Sequence, residues 1–134
     1  MAETTRSYAE TARTIFYVIA ILMAIYGLGL LLLPQVIFTL SHDPGVPANP
    51  GWVRWGGGFV LGTAVAAWFA ASKPESQRPL MMGIATAFTL VTLALLYSNL
   101  AGDYRGVQLL SWLQILGNGI LAAMMWWLTS KFAA

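Results

Sequence analysis

Residues 54–70 read RWGGGFVLGTAVAAWFA, and this stretch decides the class of the protein. Taking every fourth residue gives Arg54, Gly58, Gly62, Ala66 and Ala70, a small-residue seam headed by one guanidinium. Between them lie Trp55, Phe59, Val60, Leu61, Val65, Trp68 and Phe69, all bulky and apolar. Such a segment reads as a membrane-spanning helix whose smooth side lets another helix approach closely. Gly83 and Ala87 repeat the four-residue spacing further on, and Gly117 adds a small residue near the end of the chain. All of these are expected to be helix-packing positions.

The rest of the chain agrees. It has 134 residues, 58% of them hydrophobic and only 9% charged, where a soluble domain carries about 25% charged residues. Residues 14–33, 55–72, 80–100 and 107–130 contain no Asp, Glu, Lys or Arg. A hydrocarbon core of ~30 Å needs about 20 helical residues, and each run supplies that or nearly so. The expected fold is therefore an all-α integral membrane protein, an antiparallel bundle of four transmembrane helices at about 12–33, 50–72, 79–100 and 107–131. These make one transmembrane domain over 14–131, and no room remains for a soluble domain. The first apolar run exceeds the h-region of a leader, and Glu3 and Glu10 stand where a leader would be basic, so it is expected to be helix 1 of the mature protein.

Residues 1–13 are polar, and Ser7-Tyr8-Ala9-Glu10 fits a capping box, so this segment is expected to be a tail or a short interfacial helix. Pro34 ends the first span. The outer loop, 34–51, holds Pro34, Pro44, Pro47 and Pro50. Residues 35–40 are apolar enough to lie in the membrane interface as a turn or two of helix begun by Pro34. Asn49-Pro50 reads as the N-cap and first turn of the second span. No internal repeat is legible, because the long first loop has no counterpart between the third and fourth spans.

Orientation follows from the basic residues. Arg6, Arg13, Lys73, Arg78 and Lys131 fall on one side, and only Arg54 and Arg105 on the other. The positive-inside rule places both termini in the cytoplasm and the proline-rich loop outside. Tryptophans at 52, 55, 68, 112, 126 and 127 lie near the ends of the spans, the level indole rings prefer.

Few residues could carry chemistry. Arg54 either snorkels to headgroup phosphates or stands at the mouth of a cavity, facing an anionic lipid, a carboxylate or a partner protein. Ser111, Gln114 and Asn118 share one face of the fourth span, and an unpartnered amide in hydrocarbon costs several kcal/mol, so both amides should face protein. They serve either as glue between helices or as a polar site for a ligand. Under the expected topology Tyr26, Arg54, Tyr97, Asn99, Gln114 and Asn118 gather toward the outer half. They could line a shallow pocket, with Tyr26, Arg54, Gln114 and Asn118 as its binding residues.

His42, the single histidine, reads as a turn residue and lacks companions for a metal site. The absence of cysteine excludes disulfides and thiolate metal sites. No span contains an acid for proton coupling, and no Ser–His–Asp, paired-carboxylate or Cys–His set can be assembled within them. The run Arg54-Trp55-Gly56-Gly57-Gly58 and the proline closing helix 1 resemble small bacterial four-helix membrane proteins of the DoxX-like kind. The resemblance covers general layout, implies a four-helix bundle in a bacterial membrane, and carries over no functional residue.

The expected function is a non-catalytic accessory or structural subunit of a larger membrane complex, packing through its small-residue helix faces. The alternative is a protein that binds or transports a lipid, quinone or other amphipathic molecule in an outer-leaflet cavity. No enzyme activity, metal or obligatory cofactor is expected, though a bound lipid, quinone or pigment fits the second reading. Expected partners are membrane lipids and other integral membrane subunits, or further copies of this chain, but not nucleic acid. The expected location is the bacterial cytoplasmic membrane.

Overall fold

The computed structural model describes residues 2–40, 51–102 and 109–132. Its elements are α1 (Ala2–Leu32), α2 (Pro34–Leu40), α3 (Gly51–Ala70), a 3-10 turn (Pro74–Ser76), α4 (Arg78–Ala101) and α5 (Leu109–Lys131). The described residues are thus all-helical, with no strand among them. The four long helices fall on the four charge-free runs. By length and apolar composition, Arg6–Leu32 within α1 and Arg78–Ala101, all of α4, could each cross a membrane.

Boundaries differ from expectation at the N-terminus. Helix α1 is continuous from Ala2, so Ser7 and Glu10 lie inside it rather than capping its start. The Ser7 carbonyl accepts the Thr11 hydroxyl at 3.0 Å, and Glu10 meets Arg6 one turn earlier at 3.6 Å. The latter pair is largely exposed and weak. Residues 2–13 therefore extend the first long helix. The proposed Asn49 cap, His42 and Arg105 lie outside the described residues.

The chain divides into two compact units. The first joins α1, α2, α3 and the 3-10 turn, and the second joins α4 and α5. In the first, α1 and α3 run antiparallel. Their contact is built from Phe16, Ile19 and Ala20 on α1 and Val53, Ala64, Ala67 and Ala70 on α3, all buried. Small side chains on α3 receive larger ones from α1, so the two axes can approach closely. Tyr17 meets Trp68 edge to face, with centroids 5.0 Å apart.

Near the far end of this hairpin the backbones themselves touch. A Cβ placed on Gly57 would stand 2.9 Å from Leu30 Cβ and 3.0 Å from the Gly27 carbonyl oxygen. One placed on Gly27 would stand 2.9 Å from the Leu61 nitrogen. Neither position has room for a side chain. Helix α2 then folds back, and its Ile37 side chain occupies the space over Gly29, 2.9 Å from where a Cβ there would lie. Pro34 breaks the helix because its ring excludes a backbone N–H, and it is fully buried at the turn.

The second unit is a plainer hairpin. Met81, Ile84, Ala85 and Phe88 of α4 are buried, as are Ile115, Ala122, Met125 and Leu128 of α5. Helix α4 ends on Gly102, whose φ of 77° is the left-handed conformation that closes many helices and that glycine adopts without strain.

Candidate functional site

The amide row of α5 is set by helical spacing. Ser111, Gln114 and Asn118 progress from buried to half-buried along one side of the helix. At the head of the row Ser111 is 5% exposed and donates its hydroxyl to Asn99 Oδ1 at 2.8 Å. Asn99, 8% exposed, in turn donates Nδ2 to the Leu95 carbonyl one turn back on α4, at 3.0 Å. This fixes the end of α4 to the start of α5 through a satisfied polar pair inside an apolar hairpin. Buried side-chain bonds of this kind strengthen where the surroundings are apolar.

Asn118 donates Nδ2 to the Gln114 carbonyl at 2.7 Å. The amide thus satisfies its donor within α5, as Thr86, Thr89 and Thr92 do with their hydroxyls on the carbonyls four residues back. Toward the other end of the hairpin, Trp126 donates its indole N–H to Thr89 Oγ1 at 3.2 Å. Gln114 and Asn118 are both half-buried.

In the first unit Arg54 and Tyr26 are both exposed. Arg54 forms no hydrogen bond or ion pair among the described residues. Trp55 and Phe59 beside it make an edge-to-face pair with centroids 4.6 Å apart, and both are largely exposed. Arg54 thus stands exposed on a helix that also exposes aromatic, apolar side chains.

The small-residue seam divides between exposed and buried positions. Gly58 and Gly62 are exposed, and a Cβ on either would meet nothing within 4 Å. Ala66 is half-buried and Ala70 buried. Gly83, Ala87 and Gly117 are likewise exposed, with open space over both glycines. Within the first hairpin, close approach is made instead by Gly57 and Gly27, one residue off the seam. Gly58 and Gly62 take no part in the close contact between α1 and α3. A strict four-residue row advances about 40° beyond a full turn at each step, so the seam spirals from the open side at Gly58 to the core at Ala70.

Two side-chain contacts went unread in the sequence. Arg13 donates Nε to the Ala71 carbonyl at 3.1 Å, and Arg78 donates Nε to the Thr129 carbonyl at 3.4 Å. Each is a cation placed on the unsatisfied carbonyls ending a helix, where the helix dipole favours positive charge. Both arginines were legible only as topology signals. No protein-family model, curated protein or solved structure matches the chain.

Proposed function

We propose that this chain is an integral protein of a bacterial cytoplasmic membrane, spanning it four times with both termini inside, and that it serves as a non-catalytic subunit of a larger membrane assembly. One observation carries this reading: Gly58 and Gly62 are open on the outer side of α3 while the hairpin's own close contact is made elsewhere, at Gly27 and Gly57. Glycines in a membrane helix lower its stability unless a neighbouring backbone uses the space they leave. The outward faces support membrane insertion. Phe69 is 71% exposed, Trp55 69% and Leu100 77%, and apolar side chains in that number belong in hydrocarbon rather than water.

The test is isolation of the native protein in a mild detergent, followed by intact-mass analysis. A heterologous membrane partner is expected. Gly58→Leu with Gly62→Leu should release that partner while leaving the subunit as stable as before. A homogeneous protein free of partners would end this reading.

A second reading rests on Arg54. A guanidinium without a partner among the described residues, on the same helix as exposed Trp55 and Phe59, suits an anionic amphipathic molecule with its head on the cation and its chain along α3. Tyr26, Gln114 and Asn118 are the further polar groups such a lipid or quinone would use.

A further inference from the structure

We infer that the chain is two tandem copies of one helical hairpin, α1–α3 and α4–α5. The first sign is the pair of arginine clasps. In each hairpin an arginine of the first long helix, Arg13 about three turns into α1 and Arg78 at the first residue of α4, donates Nε to a carbonyl at the end of the second. The clasped residues lie 58 positions apart in the first hairpin and 51 apart in the second. The difference of seven equals the length of α2. The first copy is therefore the second copy with an α2-sized insertion in its connection.

The clasps fix how the hairpins superpose in sequence, and burial then agrees closely along the second helix of each. Setting Ala71 on Thr129 sets Val53 on Ser111, Gly57 on Ile115 and Ala64 on Ala122. It also sets Ala67 on Met125 and Ala70 on Leu128. The buried positions of α3 and its last turn coincide one for one with the described buried positions of α5. Setting Arg13 on Arg78 places Phe16 on Met81, Ile19 on Ile84, Ala20 on Ala85 and Pro34 on Asn99, buried on buried, while Ala12, Ile15 and Gly27 fall on half-buried Gln77, Leu80 and Thr92, and Phe88 on half-buried Met23.

Helical periodicity alone would allow several such shifts. Three independent features select this one. Residues 68–73 read WFAASK and residues 126–131 read WWLTSK, aligning tryptophan, serine and lysine at the same shift. Ser72 and Ser130 make the same bond, their hydroxyls donating three residues back to the carbonyls of Phe69 and Trp127 at 2.8 and 2.6 Å. Gly27 lies against Leu61 in one copy, and Thr92 lies against Gly119, 3.7 Å from a Cβ placed there, in the other. These are equivalent pairs.

The copies share their basic end and differ at the other. The buried Asn99–Ser111 pair stands where the first copy has Pro34 and Val53. Gln114 and Asn118 stand where it has Gly56 and Val60, and Arg54 stands where the second copy has Trp112. The clasped end is thus the common folding device, and the polar positions are particular to one copy.

Hydrogen–deuterium exchange on the full chain in lipid nanodiscs tests this. Arg13→Gln should speed exchange about tenfold at the end of α3 and leave α5 unchanged. Arg78→Gln should do the reverse, and the lysine variants should show smaller effects of the same pattern. Deleting residues 35–41 should leave a folded chain with both clasped ends protected. Opening of both hairpins by either substitution, no response to either, or aggregation of the shortened chain would overturn the duplication.

Discussion

Gly27 and Gly57 touch backbone to backbone, the Gly27 carbonyl oxygen lying 3.0 Å from where a Cβ on Gly57 would be. The neighbouring Gly58 has open space instead. Adjacent glycines in one helix therefore respond to the same substitution with opposite sign. Gly57→Ala must displace the backbone of α1 and should destabilise by ~1–3 kcal/mol, as overpacking of a tight contact does. Gly58→Ala should be neutral or stabilising by up to about 1 kcal/mol through helix propensity. Thermal unfolding in one detergent ranks the two, and equal destabilisation would contradict the crossing described.

The Asn99–Ser111 bond makes a second prediction. Ser111→Ala leaves the buried Asn99 Oδ1 without its donor and should cost ~1–3 kcal/mol. Adding Asn99→Leu removes the orphaned group and should restore part of the loss. A double variant less stable than either single would show that the pair does not act as a unit.

Arg54 has no described intramolecular partner, so its replacement should change binding and spare the fold. Arg54→Ala is expected to lower the anionic lipid that co-purifies, with an unfolding temperature within error of the parent. Arg54→Lys should retain most of the lipid. Quantitative lipid analysis by mass spectrometry reads the outcome, and unchanged lipid in Arg54→Ala would remove this residue from the binding surface.

The proposed orientation rests on the grouping of Arg6, Arg13, Lys73, Arg78 and Lys131 on one side under the four-span topology. A reporter active only in the cytoplasm should give signal when fused after Ala134. Activity from a reporter that works only outside the cytoplasm would reverse the assignment.

Much of the fold was legible in the long, charge-free runs: α3, α4 and α5 follow them to within a few residues, whereas α1 begins well before its own, at Ala2. Helix α2 was readable too, since Pro34 both ends one helix and can begin another. What could not be read was which side of α3 faces α1. Three consecutive glycines, Gly56 to Gly58, offer the same chemistry in neighbouring directions, and only the position of Leu30 and Gly27 selects Gly57. The candidate site was legible in part. The spacing of Ser111, Gln114 and Asn118 placed them on one side, but the partnership with Asn99 requires knowing the register between two helices. The arginine clasps were hidden for the same reason, because a bond to a carbonyl leaves no mark in the partner's side chain. The tandem copies escaped notice because the extra α2 segment offsets their helices by seven residues.

The Gly27–Gly57 crossing also constrains what could pass through this molecule. Two main chains in van der Waals contact leave no lumen between α1 and α3 at that level, neither for a file of water nor for a dehydrated ion. The first hairpin is closed at that level, and any conduit formed with a partner would have to pass it along the outer faces.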